Sequence, residues 1–293
     1  MNEWPQPEKN HLEVTELKRL KSLILTHEQY RDHPFASDPD ARSYVVEVTN
    51  GAKHLEFFGA SHLYDPRDPQ FEEIASRFET NRPDIVYVEG LERINAQKES
   101  VREQAVKVSQ EEARSRGENY FLLKLAIDAG VDFESPEPSF KEELKLLQSL
   151  GYSKRDIFMF YAYRQISGYQ QRAKEDRSDS ACIDYLKDNF GRFRDESGWS
   201  ADELAGFEKQ LANELELHAE GKYREQVDPI PWEGRDGTVI NDISQASSQY
   251  RNEYILGRIA DGMKEHDHLF AVYGSAHAVQ LEPALRQLIS ASK

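Results

Sequence analysis

The chain has 293 residues, of which 38% are hydrophobic and 31% are charged, a composition typical of a soluble, helix-rich globular protein with a sizeable core. Its net charge of −16 argues against the phosphate backbone of nucleic acids and against anionic membrane surfaces as main partners, because nothing compensates the repulsion. No apolar run approaches the ~20 residues that span a bilayer, so we expect no transmembrane helix.

The first part of the chain predicts an arm followed by a β-hairpin. Residues 1–42 are polar and interrupted by prolines, with one short helix candidate over residues 15–25. Residues 43–49 are rich in β-branched side chains and predict a strand, and Asn50-Gly51 is a strong signal for a hairpin turn. Residues 53–58 then predict the return strand.

A strand–helix–strand unit follows the hairpin. Residues 69–82 predict a helix, because Phe71, Ile74 and Phe78 are spaced to lie on one face. Residues 84–90 predict the next strand. Units of this kind favour parallel strands, so we expect a mostly parallel sheet.

Helices dominate the remainder of the chain. Residues 96–129 predict helix with a break at Gly117, and residues 131–133 predict a short strand. Residues 139–221 are strongly charged and almost wholly helical in pattern. The rest is predicted as a loop, a helix, a strand and a last helix, over residues 223–237, 244–264, 269–273 and 281–290 respectively.

These elements predict an α/β protein with an interrupted core. Residues 43–138 and 239–293 would form a catalytic core of βαβ units around a mostly parallel central sheet. Residues 139–238 would form a large helical insertion or cap, and residues 1–42 an N-terminal arm. Strands from both ends of the chain must lie side by side to complete one sheet.

The pattern Gly-x-x-His occurs twice, at Gly59–His62 and at Gly274–His277, each time after an apolar strand. Glycine allows a sharp turn and a close approach at a strand end, and ligands of open α/β sheets bind at the carboxyl ends of strands. Glu89 follows a third predicted strand. We therefore expect His62, Glu89 and His277 to meet at one edge of the sheet.

Several further residues could extend this site. Arg251 shares an apolar helix face with Ile255 and Ile259; a buried arginine needs an anionic partner, but the pattern also fits one that extends to the surface from the edge of the face. The substrate-binding candidates are Ser61, Ser275 and Tyr64, although both serines also fit a turn-capping role. Glu134 and Glu137, after the strand at residues 131–133, could reach the same edge.

These residues resemble the Tiki/TraB-like superfamily, which includes Tiki metalloproteases, TraB/PrgY-type proteins, erythromycin esterases and haem-binding ChaN-like proteins. The family pattern is two GxxH motifs, a Glu after a strand, and an Arg in an Arg-Asn pair, and all four occur here in that order. The resemblance covers residues 43–135 and 240–290. Gly90 is a departure, because TraB-like members often have Leu at this place.

The resemblance implies a two-layer, EreA/ChaN-like α/β core and hydrolysis of a peptide, amide or ester bond. The catalytic residues would be His62, Glu89, Arg251 and His277. His62, Glu89 and His277 could bind a divalent metal such as Mn, Co or Zn. Without a metal, one histidine would be the general base for water, Glu89 would orient it, and Arg251 would stabilise the oxyanion. Which histidine is the base stays open.

The alternative is a non-catalytic protein of the ChaN/TraB type that binds haem or a peptide. In the haem case, Phe158, Phe160 and Tyr161 would supply the apolar wall of the pocket. For the hydrolase, we expect a peptide or a small molecule as the substrate. Neither the identity of that substrate nor the oligomeric state follows from the sequence.

The cellular location of the protein is predicted from its first residues and its single cysteine. The first residues lack the basic and apolar regions of a secretory signal. Cys182 is the single cysteine, so no internal disulfide forms, and its neighbours favour a small buried residue over a nucleophile. We therefore expect a cytoplasmic protein.

Overall fold

A sheet of five strands lies at the centre of the region that contains both GxxH motifs. In the computed structural model, which describes residues 14–38, 40–90, 94–95, 97–172, 197–217, 227–229, 231 and 236–291, the strand order is β1-β2-β5-β3-β4. Only β1 and β2 are antiparallel. The α/β class and the mostly parallel sheet are thus confirmed. The strands are β1 (Tyr44–Asn50), β2 (Lys53–Ala60), β3 (Ile85–Val88), β4 (Asp132–Glu134) and β5 (His268–Gly274).

The strand from the C-terminal region lies between two strands from the N-terminal region. The predicted hairpin forms, with Asn50 opposite Lys53 and Gly51 at a φ of 61°, a conformation that glycine adopts without strain. Strand β5 then pairs in parallel with β2 on one side and with β3 on the other, and Ala60 lies opposite Gly274. This register brings the ends of the two motif strands side by side.

Helices account for most of the remaining described residues. Two predicted starts are wrong. The sequence predicts a helix from residue 244, but that helix begins at Val239, and the last helix begins at Ser275 rather than at residue 281. The helices are α1 (Val14–Lys21), α2 (His27–Arg31), α3 (Pro34–Ser37), α4 (Pro69–Asn81), α5 (Lys98–Ala105), α6 (Gln110–Ser115), α7 (Glu118–Ala129), α8 (Phe140–Ser149), α9 (Lys154–Arg172), α10 (Ala201–Leu217), α11 (Val239–Glu265) and α12 (Ser275–Ala291).

Contacts between residues divide the chain into two compact units. The first unit is Met1–Glu137 with Asn252–Lys293, and the second is Pro138–Arg251. Cys182 and most of the loop predicted over 223–237 lie outside the described residues. In the described part of the chain, no helix combines the length and the apolarity that crossing a membrane requires.

The first unit has a hydrophobic core on each face of its sheet. Because side chains alternate along a strand, Phe57 and Phe58 of β2 enter different cores. Helix α12 covers the Phe57 face, and helices α4 and α7 cover the Phe58 face. The two-layer core that the resemblance implies is therefore wrong for this sheet, which has helices on both faces.

The second unit is built from helices around an aromatic core. Its described helices are α8, α9, α10 and the part of α11 before Asn252. Phe158, Phe160 and Tyr161 are all buried in this core, together with Trp199. The three aromatic residues proposed as a haem wall are thus in contact with neighbouring hydrophobic side chains.

Candidate functional site

The ends of β2, β3 and β5 bring three of the predicted site residues together. Glu89 follows β3, and its Oε2 accepts a hydrogen bond of 2.7 Å from the backbone N–H of Gly274, the last residue of β5. Its Oε1 lies 3.5 Å from Nε2 of His277. Parallel strands end at the same edge of a sheet, which is why residues far apart in sequence converge here.

The His62 side chain lies against the backbone of Gly274, next to Glu89. A Cβ atom on Gly274 would lie 3.2 Å from Nε2 of His62 and 3.5 Å from Oε2 of Glu89. Both side chains therefore lie close against the backbone of the second motif. The glycine of that motif is needed for the approach of these two functional groups.

The glycine of the first motif has a different function. A Cβ on Gly59 would lie 2.6 Å from the Cβ of Ala278, 2.8 Å from the carbonyl oxygen of Tyr44 and 2.9 Å from the Cα of Ser275. Gly59 thus allows β1, β2 and the start of α12 to pack closely. The two motifs share their glycine and histidine, but the glycines have different roles. Gly59 allows strands and a helix to pack closely, whereas Gly274 allows two side chains to approach the backbone.

His277 is held in one orientation by a neutral amide. It lies in the first turn of α12, its side chain is only 10% exposed, and its Nδ1 is 2.6 Å from Oδ1 of Asn252. The Asn252 amide nitrogen donates to Oε1 of Gln280 at 3.1 Å, so its oxygen accepts from Nδ1–H of His277. This tautomer places the lone pair of the neutral ring on Nε2, toward Glu89.

His62 is held by a carboxylate instead. Its Nδ1 lies 2.6 Å from Oε1 of Glu118, the first residue of α7. The Glu118 side chain is 3% exposed, whereas that of His62 is 52% exposed. The next residue, Asn119, accepts from the backbone N–H of Glu89 at 3.1 Å. The start of α7 therefore positions both His62 and Glu89.

Sequence reasoning did not assign roles to Glu118, Asn119 or Asn252. A partial signal was present for each of them. The break at Gly117 marks the start of a helix whose first two residues are polar and whose following residues are mostly apolar. Asn252 belongs to the Arg-Asn pair. The partnerships of these residues depend on tertiary contacts and have no local pattern.

The three substrate-binding candidates lie at the ends of these elements. Ser61 is held by Gln70, which bonds both its backbone N–H and its carbonyl, and its hydroxyl donates to the carbonyl of Arg42. Ser275 is the first residue of α12 and is half-buried. The Tyr64 ring lies near Gly117, because a Cβ there would be 3.3 Å from its Cε1. The Ser61 hydroxyl thus has a structural partner.

The two additional acidic candidates are placed differently. Glu134, the last residue of β4, forms an ion pair of 2.5 Å with Arg258 of α11. Glu137 is buried beyond the end of that strand. The described contacts of Glu134 thus connect it to a helix and not to the three site residues.

Arg251 belongs to the second unit, whereas His62, Glu89 and His277 belong to the first. Arg251 is buried, and it precedes Asn252 on α11. Burial raises the pKa of the Tyr161 hydroxyl well above its usual range, Glu143 adds to this effect, and the charges of Arg164 and Arg251 oppose it.

The described side chains do not fit the expected metal site. Among them, no three His, Cys, Asp or Glu residues form a group that could hold a metal ion. Metal-assisted hydrolysis therefore has no ligand set among the described residues.

Comparisons with known proteins do not identify the chain. No protein-family model, no curated protein and no solved structure matches it. The resemblance to the Tiki/TraB-like superfamily therefore rests on the motif residues themselves.

Proposed function

We propose that the protein is a hydrolase of the Tiki/TraB/erythromycin-esterase type that cleaves a peptide, amide or ester bond, with an EreA/ChaN-like core whose sheet has helices on both faces. The observation that supports this best is the grouping of His62, Glu89 and His277 at the ends of three neighbouring strands. Two imidazoles and a carboxylate are sufficient to activate water for attack on a carbonyl carbon.

His62 is the better placed of the two histidines to act as the general base. Its ring is half exposed, so water and substrate can reach it, whereas His277 is mostly buried. Nε2 of His62 would take a proton from water as the water oxygen bonds to the carbonyl carbon. The imidazolium would then return that proton to the leaving nitrogen or oxygen as its bond to carbon breaks.

Glu89 and His277 would orient the attacking water. In its Nδ1–H tautomer, His277 presents Nε2 as an acceptor, and Oε1 of Glu89 is an acceptor 3.5 Å away. A water molecule that donates one hydrogen to this pair of acceptors would be held next to His62, with its second hydrogen directed at Nε2 of His62.

Two histidine substitutions test this function. We expect His62→Ala and His277→Ala each to lower the hydrolysis rate by about 10²–10⁴-fold, because a base or its orienting partner is lost. The rate can be followed with p-nitrophenyl acetate and with a library of fluorogenic peptides, with and without EDTA. Turnover that persists in EDTA supports the metal-free route.

The matched control is His54→Ala, because His54 lies in β2 near its opposite end, where its ring contacts Glu47. This variant should keep the rate of the wild type. Circular dichroism must show that all three variants are folded. Full activity in both motif variants would show that the site is assigned wrongly.

The alternative, a non-catalytic protein that binds haem or a peptide, has less support. Phe158, Phe160 and Tyr161 pack inside the core of the second unit and offer little surface to a haem group. This alternative requires a haem absorbance band on titration that disappears in His62→Ala, together with an absence of hydrolysis.

A further inference from the structure

Glu118 is a buried carboxylate that contacts a half-exposed imidazole. Its side chain is 3% exposed, and its Oε1 lies 2.6 Å from Nδ1 of His62. A carboxylate is costly to bury unless it has hydrogen-bonding partners. Here the partners are His62 and the amide of Asn119, which donates at 3.3 Å. The position at the first residue of the 12-residue helix α7 also favours a negative charge.

This contact determines which nitrogen of His62 carries the proton. An ionised carboxylate only accepts hydrogen bonds, so Nδ1 of His62 must donate. The neutral ring then has its lone pair on Nε2, the atom that lies against Gly274 beside Glu89. A general base at this place needs that tautomer.

The two motif histidines differ in the charge of their partners. His277 donates from Nδ1 to the neutral amide of Asn252, whereas His62 faces the carboxylate of Glu118. A carboxylate stabilises the imidazolium that forms when the ring takes a proton, and an amide does so much less. His62 is therefore the histidine whose protonated ring is stabilised by its partner.

We infer that Glu118 is a positioning residue for His62: it holds the ring in the Nδ1–H tautomer and stabilises the imidazolium that forms during hydrolysis. This inference rests on the proposed function. Glu118 lies outside both GxxH motifs and is 56 residues from His62 in sequence. The next residue of α7, Asn119, accepts a hydrogen bond from the backbone N–H of Glu89. The start of α7 therefore contacts both His62 and Glu89.

The pairing can be tested without a substrate. In protein labelled with ¹⁵N-histidine, long-range ¹H–¹⁵N spectra report the tautomer of each ring, and His62→Ala identifies the signals of His62. We expect the Nδ1–H tautomer for neutral His62 in the wild type and in Glu118→Gln, because the amide oxygen can still accept. In Glu118→Ala we expect this preference to disappear. An unchanged His62 spectrum in Glu118→Ala would overturn the inference.

The rate of p-nitrophenyl acetate hydrolysis separates charge from hydrogen bonding. We expect Glu118→Gln to lower kcat at least tenfold and Glu118→Ala by about 10²–10⁴-fold. The control, Glu111→Gln, changes an exposed glutamate on α6 and should leave kcat unchanged. Wild-type kcat in Glu118→Gln would contradict the electrostatic part of the inference.

The tautomer spectrum and the hydrolysis rate together distinguish a wrong role for Glu118 from a wrong proposed function. If the tautomer changes as expected but His62→Ala has no effect on hydrolysis, the pairing is correct and the proposed hydrolase is wrong. If His62→Ala abolishes hydrolysis while Glu118→Ala leaves both the spectrum and kcat unchanged, the hydrolase is supported and the role of Glu118 is wrong.

Discussion

At the scale of single residues, the site depends on glycines and on the partners of the histidines. Gly59 and Gly274 hold equivalent places in the two motifs, yet a Cβ on Gly59 meets backbone atoms and one on Gly274 meets the ends of side chains. Side-chain ends can move by a few tenths of an ångström, whereas packed backbone cannot. The same substitution should therefore affect mainly stability at Gly59 and mainly activity at Gly274.

Alanine at each motif glycine tests this difference. We expect Gly59→Ala to lower the free energy of unfolding by about 1–3 kcal/mol, the usual cost of overpacking. Gly274→Ala should change stability by less than about 1 kcal/mol. It should nevertheless lower hydrolysis roughly tenfold, because it displaces His62 and Glu89 from their working positions.

Urea unfolding and p-nitrophenyl acetate hydrolysis measure the two effects on the same preparations. Each variant is the control for the other, since both replace a motif glycine with alanine. A Gly274→Ala variant that is less stable than Gly59→Ala would contradict the assignment of the two steric roles.

At the scale of elements, the sheet is joined at its amino edge by a side chain. Oδ2 of Asp84, just before β3, accepts from the backbone N–H groups of His268 at 2.8 Å and Asp267 at 3.0 Å, at the start of β5. The hydrogen bond from His268 is the main cause that lowers the pKa of the Asp84 carboxyl from its usual value of 3.8. This contact connects β3 to the strand that carries the second motif.

The contact predicts a pH dependence of stability. Because the pKa of Asp84 is lower in the folded chain, the charged carboxylate stabilises the fold above about pH 4, and the contribution is lost as the pH falls through the folded value. We expect Asp84→Asn to lower the free energy of unfolding at pH 7 by about 1 kcal/mol or less, since the group is exposed. The difference from the wild type should shrink below pH 4.

Urea unfolding between pH 3 and pH 7 measures this dependence. Asp261→Asn, which changes an aspartate of α11 that pairs with Lys264, is the control and should shift stability by less than about 0.5 kcal/mol. A constant difference between Asp84→Asn and the wild type over this range would argue against the linkage.

The last helix shows where element prediction failed. The sequence predicts a last helix from residue 281, but the helix starts at Ser275 and contains Pro283. Ser275 and Ala276 of the second motif therefore form the first turn itself. His277 is consequently held on a helix, which restricts its ring more than a loop would.

At the scale of the whole molecule, the N-terminal segment packs into the core of the first unit. Leu20 of α1 is fully buried with residues of α11 and α12. Farther along, the backbone N–H of Leu25 donates to the carbonyl of Gln280 at 2.9 Å. Gln280 also contacts Asn252, the partner of His277. The segment is thereby connected to the site through hydrogen bonds of the buried Gln280.

A leucine substitution measures how much this segment contributes. We expect Leu20→Ala to lower the free energy of unfolding by about 2–5 kcal/mol, because it leaves a cavity in the first core. Leu150→Ala is the control, since Leu150 is 56% exposed and should cost less than about 0.5 kcal/mol. Equal stability of the two variants in urea would show that the segment does not contribute to the core.

The sequence by itself determined the local elements and the kinds of chemical groups available. Asn50-Gly51 predicted the hairpin, the apolar runs predicted the strands, and the Gly-x-x-His pattern selected His62 and His277. These features depend on turn conformation and side-chain periodicity, which act over a few residues. Glu89 joined these two histidines as a site candidate because it follows the second strand of the predicted strand–helix–strand unit.

Only the tertiary structure decided what each histidine contacts. Glu118 reaches His62 across 56 positions, and Asn252 reaches His277 across 25, because the order of β2, β5 and β3 brings distant helices to one edge of the sheet. No local periodicity encodes such pairs. The difference between a carboxylate partner and an amide partner, from which the roles of the two histidines are inferred, is therefore a property of the folded chain.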